Sequence, residues 1–310
     1  MKDELYSLTV DAELAGRQIK DVLQKHLKMS RKVIRKLTQG QGVLLNGEPT
    51  WTSWRLAEGD QLRLLIPAEE SVDILPEPIP FQQVYEDEDV LVVEKRAGLI
   101  VHPTSGHWTG TLANGVVYDW QQRGIVARFR PVHRIDQWTS GLLVIAKNHH
   151  AHQFLSRQLM ARTIDRAYEA IVHGVLAQDD GLIVGPIGRS DDDFRVRVVR
   201  DDGQEASTEY RVTERFAFGT QIELKLHSGR THQIRVHMKH IGHPLFGDAM
   251  YGTTDDADWI ERQALHAKRL GFVHPRTGEK MLFESPLPEE MNALAQKLRR
   301  SDEGRSDTRV

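Results

Sequence analysis

The sequence predicts an α+β protein in which a large mixed, mainly antiparallel sheet flanked by helices follows a small α/β domain. Three observations support this prediction. Apolar, β-branched runs separated by turn residues recur through the second two thirds of the chain. The first 67 residues combine two helical repeats with short strands, and a proline-rich stretch separates the two parts.

The front domain is assigned to residues 12–67. Its first helix is predicted from Arg17 to Leu27, and a second follows Ser30, a good N-cap. The apolar residues that repeat at helical spacing in these two helices are Ile19, Val22, Leu23, Leu27, Val33, Ile34 and Leu37. The run VLLNGEPTW then predicts a hairpin with its turn at Asn46-Gly47, and Leu62 to Ile66 predicts a third strand.

Basic residues dominate the two predicted helices. Eight lysines and arginines between Arg17 and Lys36 face a single acid, Asp21. Charge alone fits either a solvated helix surface or an RNA-binding surface. Two basic helices followed by VLLNGEPTWTSWRLAEGDQLRLLIP resemble the small RNA-binding module named after a small-subunit ribosomal protein. That resemblance favours RNA binding, through Arg17, Lys28, Arg31, Lys32 and Arg35.

The remaining chain divides into a linker, a large domain and a tail. Residues 68–80, with several prolines and acids, are typical of a semi-rigid linker. In the domain assigned to residues 81–298, strands are predicted in VYEDEDVLVVEKRAGLIVH, LLVIAKN, AYEAIVHG, STEYRVTERF, TQIELKLHS and HQIRVHMKHI. His150 to Met160 is the clearest helix. Residues 299–310 form a polar tail, expected to fray from Ser301.

Composition excludes several kinds of chemistry. The chain has 310 residues and no cysteine, so disulfides, thiolate zinc sites and cysteine nucleophiles are excluded. Its formal net charge of -3 argues against wholesale coating of a polyanion, although a local basic patch can still bind one. The acidic N-terminus and the lack of a long apolar run predict a cytoplasmic protein without membrane contact.

One carboxylate stands out. In HRIDQWTSGLLVIAKN, Asp136 precedes an apolar run that predicts a buried strand, and Thr139, Ser140 and Gly141 can form a tight turn between them. This placement lets a rigid sheet hold an acid at the rim of a cleft. An aspartate beside an arginine in a turn is also typical of a structural ion pair or a cap, so the local pattern leaves both roles open.

A resemblance decides between them. HRIDQWTSGLLVIAKN is similar to the signature of the RluA-type family of RNA pseudouridine synthases, in which this aspartate is the essential nucleophile. VYEDEDVLVVEKRAGLIVHP, ARTIDRAYEAIVHG and LHSGRTHQIRVHMKHIGHPLFGDAMYG resemble three further motifs, in the family's order, between Val84 and Leu287. Two positions depart from the pattern: Arg96 stands where a proline usually follows the lysine, and Trp138 is a bulky residue before Thr139.

The resemblance implies roles for three residues and no cofactor. Asp136 would be the catalytic carboxylate, Tyr168 the aromatic residue of the site, and Arg230 the cation paired with Asp136. A cation favours the ionised carboxylate in a pocket dry enough to hold uracil. The implied isomerisation detaches uracil, turns it and rejoins it through carbon 5, without a metal. The carboxylate could attack to form an adduct or abstract a ribose proton.

Four further residues are candidates for substrate binding. A stacked uridine must be extruded before it reacts, and His133 and Arg134 are placed to compensate for the gap. Arg134 is equally typical of a protein surface. Ile234 could line the base pocket or belong to the sheet core, and Thr139 could support the turn at Asp136. A metal at His227, His232, His237, His240 and His243 is not expected, because a spacing of five puts successive residues on opposite faces of a strand.

The sequence therefore predicts a monomeric RNA pseudouridine synthase. A separate RNA-binding module is similar to the arrangement in family members that modify ribosomal RNA, which favours large-subunit (23S) ribosomal RNA over transfer RNA. Two other classes stay open on the residues alone. One is a non-catalytic RNA-binding factor for ribosome assembly. The other is a hydrolase in which Asp136 pairs with Glu169 or Glu205 across a glycosidic bond.

Overall fold

A computed structural model of the chain describes residues 2–67, 69–252 and 256–306. The front domain is a four-stranded antiparallel sheet in the order β1, β4, β2, β3, packed against helices. Its elements are β1 (Lys2–Thr9), α1 (Ile19–Asp21), a π-helical turn (Val22–His26), α2 (Arg31–Gln39), β2 (Val43–Leu45), β3 (Glu48–Pro49) and β4 (Gln61–Pro67). The sequence pattern predicts no strand before residue 12, but the structure contains β1 there. Local patterns do not reveal this strand because its partner, β4, is more than 50 residues away in the chain.

The two basic helices have different starts. Ser30 accepts a hydrogen bond from the Val33 N–H and caps α2 as predicted, and Val33, Ile34 and Leu37 are buried beneath it. The first helix is shorter than the predicted Arg17–Leu27 span. It starts at Ile19 because the Ile19 N–H donates to a carbonyl of another loop, that of Trp54.

The large domain is built on one ten-stranded sheet. Its main path runs in the order β10, β13, β14, β9, β15, β8, β6, β5, with β16 beside β15 and β7 beside β8. Only the pairing of β15 with β8 is parallel among the described strands, so the predicted mixed, mainly antiparallel sheet is confirmed. The strands are β5 (Gln82–Glu86), β6 (Val90–Lys95), β7 (Arg130–Pro131), β8 (Ser140–Ala146), β9 (Asp165–His173), β10 (Asp180–Val184), β13 (Ser207–Arg215), β14 (Gly219–Leu226), β15 (Leu265–Val273) and β16 (Lys280–Glu284). A separate hairpin pairs β11 (Ile187–Arg189) with β12 (Arg197–Val199).

Helices cover both faces of this sheet. They are α3 (Leu112–Gln122), α4 (His149–Met160), α5 (Gln233–His240) and α6 (Glu289–Ser306). Strand β8 shows why both faces need cover, since all seven of its residues are buried. Leu143 and Ile145 pack into the core under α3, whereas Leu142 and Val144 pack into the core under α4. The strand that follows Asp136 is thus held on both sides.

Two predictions of secondary structure are wrong. HQIRVHMKHI is helix α5, not a strand: Ile234, Met238 and Ile241 follow helical spacing and pack into one core cluster. The tail does not fray at Ser301, because α6 continues to Ser306 from a segment anchored by buried Met291, Leu294, Ala295 and Leu298. Residues 307–310 of the predicted tail lie outside the described residues.

The predicted linker packs on the large domain. The described part, residues 69–80, contains neither helix nor strand, and Ala68 lies outside the described residues. The Phe129 N–H donates to Ser71 Oγ at 2.7 Å, and Asn114 Nδ2 in α3 donates to the Leu75 carbonyl at 2.7 Å. Across the residues described, no helix is long and apolar enough to cross a membrane.

Candidate active site

A pocket of about 880 Å³ opens beside the start of β8. It is bounded by the loop before β8, by β9, by the end of α4 and by the segment that leads into α5. Seven residues proposed from the sequence as catalytic or substrate-binding line it: His133, Arg134, Asp136, Thr139, Tyr168, Arg230 and Ile234. Residues more than 90 positions apart in the chain are therefore brought into one cleft.

A tight turn positions Asp136. The Thr139 N–H closes it by donating to the Asp136 carbonyl at 3.1 Å. The Gln137 carbonyl, inside the turn, accepts from the Gly98 N–H at 2.9 Å and from buried Lys95 Nζ at 2.8 Å. These bonds tie the turn to the loop after β6.

Glycines permit the two closest approaches around this turn. Gly98 has a φ of +84°, and a Cβ there would lie 3.3 Å from the Trp138 ring, so the indole covers the loop backbone. Gly141, at the start of β8, has a φ of +111°, and a Cβ there would lie 2.3 Å from the Ala267 carbonyl oxygen. A side chain at position 141 would therefore push β15 away from the turn that holds Asp136.

The cation beside Asp136 is Arg235. Its Nη1 lies 3.3 Å from Asp136 Oδ2, while its Nε and Nη2 donate to the two carboxylate oxygens of Asp248, each at 2.7 Å. The Arg235 side chain is 8% exposed and that of Asp248 is 0% exposed, against 25% for Asp136. Burial lowers the pKa of Arg235, but the two carboxylates outweigh this effect and raise it above its usual range. Arg235 is thus a permanent cation.

The predicted pairing of Arg230 with Asp136 is corrected by this geometry. Arg230 lies in the exposed loop before α5, where its Nε donates to the Glu205 carbonyl at 3.1 Å. Arg235 lies in the first turn of α5 and is buried. The strand predicted in HQIRVHMKHI does not distinguish the positions of Arg230 and Arg235. The helix that begins at Gln233 brings Arg235 to the base of the pocket.

Gln233 fixes the loop that carries Arg230. Its Oε1 accepts from Ser228 Oγ at 2.7 Å and from the Arg230 N–H at 3.0 Å, and its Nε2 donates to the Ser207 carbonyl at 2.9 Å. Neither Gln233 nor Asp248 is predicted as a site residue. The sequence signal that could reveal Gln233 and Arg235 is the helical repeat of apolar residues around them.

Tyr168 lies at the inner wall of the pocket. It is 5% exposed, packs with the central core and lines the pocket. Burial raises the pKa of Tyr168, which keeps the phenol protonated at neutral pH. Glu169 follows it on β9 and points to the opposite face, where it pairs with Lys268 at 2.8 Å. Glu205 lines the pocket; Glu169 does not.

The remaining substrate candidates differ in burial. Arg134 is exposed at the pocket edge, whereas His133 is buried, with no hydrogen-bond partner for either ring nitrogen among the described residues. Burial, followed by the charge of Arg166, lowers the pKa of His133 to about 3, so this ring is neutral. Thr139 Oγ1 accepts from Gln263 Nε2 at 3.3 Å. Ile234 is 4% exposed and serves both the core and the pocket wall.

Two of the histidines in and next to α5 form hydrogen bonds with different partners. Because the segment is helical, the strand-spacing argument against a metal does not apply to it. His237 bonds Thr208 and the Gly185 carbonyl, each at 2.9 Å, and His232 bonds Tyr251. In the described part of the chain, the one group with metal-ligand spacing is Asp87, Asp89 and His274. There Arg276 Nε already binds Asp89 Oδ2 at 2.5 Å.

The proposed RNA-binding residues of the front domain are solvent-accessible. The five side chains belong to exposed positions: Arg17, Lys28, Arg31, Lys32 and Arg35. The Arg157 side chain in α4 donates to the Lys28 carbonyl. The loop after the first helical segment therefore contacts the large domain at α4, the helix whose end borders the pocket.

Two family models match this chain. One, described as RNA pseudouridylate synthase, matches residues 89–240, and one described as the N-terminal domain of the RluD ribosomal pseudouridine synthase matches residues 6–62. The chain belongs to the RluA-type family of RNA pseudouridine synthases. It is accordingly an isomerase that converts uridine to pseudouridine in RNA, and the predicted family is confirmed.

Two bacterial relatives span nearly the same length. An uncharacterized RNA pseudouridine synthase, YlyB of Bacillus subtilis, is 47% identical over 88% of this chain and 90% of its own. The ribosomal large subunit pseudouridine synthase D of Neisseria meningitidis (strain Z2491) is 41% identical over 94% of this chain and 81% of its own. The structure of human RNA pseudouridylate synthase domain containing 1 superposes with a TM-score of 0.56, at 26% identity over 72% of this chain and 96% of its own.

Proposed function

We propose that this enzyme converts specific uridines of large-subunit ribosomal RNA to pseudouridine, with Asp136 as its catalytic carboxylate. The observation that carries the proposal is the contact of Asp136 with Arg235 at the base of the pocket. Relatives named as large-subunit ribosomal RNA enzymes, which align with this chain across both domains, support the choice of RNA.

Asp136 is partly exposed to solvent, whereas Arg235 is buried. Asp136 retains 25% exposure and can reach an extruded nucleotide, whereas Arg235 is locked by Asp248. A fixed cation in a poorly solvated site stabilises negative charge on Asp136 and directs its oxygen atoms. This supply of an ionised carboxylate serves both routes, adduct formation and abstraction of a ribose proton.

Other residues handle the substrate. Arg134, exposed at the pocket edge, binds the strand from which the uridine leaves, by stacking or by a phosphate contact. Tyr168 presents its protonated hydroxyl from the buried wall, and Ile234 contacts the base. Arg230 lies at the rim with Glu205, where it is placed to bind a phosphate.

The front domain delivers the RNA. Its exposed Arg17, Lys28, Arg31, Lys32 and Arg35 form a surface for the phosphate backbone. A transfer RNA substrate is the alternative within the family. A purely structural role in ribosome assembly is disfavoured by the complete acid, cation and tyrosine arrangement of the pocket.

Mapping pseudouridines in cells with and without the gene tests the substrate. Carbodiimide modification and primer extension on 23S ribosomal RNA should lose discrete stops when the gene is deleted. Expression of the parent protein should restore them, and expression of an Asp136→Asn variant should not. Stops lost from transfer RNA alone would refute the ribosomal assignment while leaving the isomerase activity intact.

A further inference from the structure

Two exposed tryptophans lie at the ends of one turn in the front domain. Trp51 is 79% exposed and Trp54 is 58% exposed. The Trp54 N–H donates to the Trp51 carbonyl at 3.0 Å, which makes them the first and fourth residues of a β-turn, with Cα atoms less than about 7 Å apart. Isolated exposed apolar residues are common, but two exposed tryptophans on one turn concentrate aromatic surface in a small region.

This turn is held firmly against the start of α1. The Ile19 N–H donates to the Trp54 carbonyl at 2.9 Å, and the Lys20 N–H donates to the Thr52 carbonyl at 2.8 Å. These bonds satisfy N–H groups that the first turn of a helix leaves free. Arg55 Nη1 adds a bond of 2.6 Å to the Gly16 carbonyl. The indoles are therefore mounted on a rigid support and lose little backbone freedom on binding.

Basic residues lie next to the turn that carries the two tryptophans. Lys20 and Arg55 are exposed beside the turn and make no ion pair within the described residues. Arg17 is also exposed and has only a long contact with Glu13, at 3.5 Å between Nη2 and Oε1. Residues 12–67 contain ten lysines and arginines and five aspartates and glutamates. The surface thus combines flat aromatic rings with local positive charge.

We propose that Trp51 and Trp54, with Lys20 and Arg55, form a binding site for unpaired nucleotides of RNA. Bases of a single strand stack on the indoles, and the cations contact the adjoining phosphates. This site is at the start of α1 and does not use the basic residues of α2. It would let the front domain bind an unpaired loop or bulge of the RNA in preference to a continuous duplex. The inference rests on the proposed function, because it assumes an RNA substrate.

A single-stranded probe without uridine tests this site apart from catalysis. Anisotropy of a labelled twelve-residue oligoadenylate gives the Kd, with a twelve-base-pair RNA duplex as the comparison. Loss of base stacking costs about 1 to 3 kcal/mol per base. The Trp51→Ala/Trp54→Ala variant should therefore raise the oligoadenylate Kd by about tenfold or more, and the duplex Kd by less than about twofold.

Matched variants separate stacking from apolar area. The Trp51→Phe/Trp54→Phe variant should bind oligoadenylate within about threefold of the parent, whereas Trp51→Leu/Trp54→Leu should resemble the alanine variant. An unchanged thermal midpoint, expected for exposed positions, shows that each variant is folded. Equal affinity of the alanine variant and the parent, or equal rescue by leucine and phenylalanine, would overturn the proposal.

Cross-linking locates the contact directly. A single 5-iodocytidine in the oligoadenylate should, on irradiation, attach to residues 37–55, the tryptic peptide that contains both tryptophans. Adducts confined to the catalytic pocket would refute the site. Tritium release from uridine-labelled RNA is measured separately, so failure of the nucleotide site and failure of the proposed function give different results.

Discussion

Arg235, not Arg230, is the arginine that contacts Asp136. Its Nη1 is 3.3 Å from Asp136 Oδ2, and its other edge makes two hydrogen bonds of 2.7 Å to Asp248. The buried guanidinium of Arg235 therefore bridges the buried carboxylate of Asp248 and the partly exposed carboxylate of Asp136. From this arrangement we expect different functions for the two arginines of the motif, chemistry for Arg235 and RNA binding for Arg230.

Conservative replacement of each arginine distinguishes these functions. Arg235→Lys keeps the charge but loses the planar fork that binds two carboxylates at once, so kcat should fall on the order of 100-fold. Arg230→Lys should raise KM by less than about tenfold and leave kcat unchanged, since an exposed cation contributes mainly to binding. Tritium release at varied RNA concentration measures both constants. Loss of kcat in Arg230→Lys with normal kcat in Arg235→Lys would reverse the assignment.

Asp248 should matter for both stability and rate. In Asp248→Asn a buried arginine loses its charged partner, which typically costs about 3 to 5 kcal/mol in the free energy of unfolding. The kcat should also fall, because Arg235 is no longer oriented toward Asp136. Urea unfolding and tritium release below the unfolding transition measure the two effects.

A double variant separates the two effects of Asp248. Asp248→Asn/Arg235→Met removes the buried charge and should regain most of the lost stability while staying inactive. Full activity in Asp248→Asn would show that Asp248 does not orient Arg235.

The Tyr168 hydroxyl, not its ring face, should be required. The ring is packed in the core, so Tyr168→Phe keeps its shape and should leave RNA affinity within about twofold. Loss of a group that transfers or donates a proton should lower kcat by about 10² to 10⁴. Single-turnover tritium release with saturating enzyme measures this step. A phenylalanine variant with the parent rate would instead assign Tyr168 to packing alone.

Lys95 should make stability depend on pH. Burial, reinforced by the charge of Arg262, lowers the pKa of Lys95 to about 7. Between this value and the usual lysine value of about 10.4, the unfolded chain binds the proton and the folded chain does not. The contribution of Lys95 to the free energy of unfolding must therefore increase as pH rises from 7 toward 10.

A Lys95→Met variant isolates this contribution. Urea unfolding of the parent and the variant at pH 7, 8 and 9 gives the difference in their free energies of unfolding. The free energy of unfolding of the parent, relative to that of the variant, should increase at each step in pH. A pH-independent difference would mean that Lys95 keeps its proton in the folded protein.

Local pattern predicts much of the fold. Ser30 and the apolar repeat after it predict α2 well, because cap and stripe are both local signals. Strand β1 pairs with the distant strand β4, and residues 291–298 of α6 pack into a cluster with distant residues, so short-range patterns do not reveal these contacts. In HQIRVHMKHI, apolar and basic residues alternate as they do in a strand. The segment is nevertheless a helix, in which Ile234 and Met238 lie on one face and are buried in the core.

The site divides in the same way. The family motifs single out Asp136, Tyr168 and Arg230, each of which lines the pocket. Choice between Arg230 and Arg235 requires knowledge of where α5 begins, which is set by tertiary contacts of Gln233 with β13. Asp248 cannot be predicted as a site residue from the sequence, because what connects it to the site is its buried ion pair with Arg235.

The most direct test of Asp136 is single-turnover tritium release from large-subunit ribosomal RNA labelled at uridine carbon 5. Asp136→Asn preserves shape and removes the charge, and its affinity for the RNA should stay close to that of the parent. The parent should release tritium to water, and the variant should release none above the level without enzyme. Release by Asp136→Asn at the parent rate would contradict the assignment of Asp136 as the catalytic carboxylate.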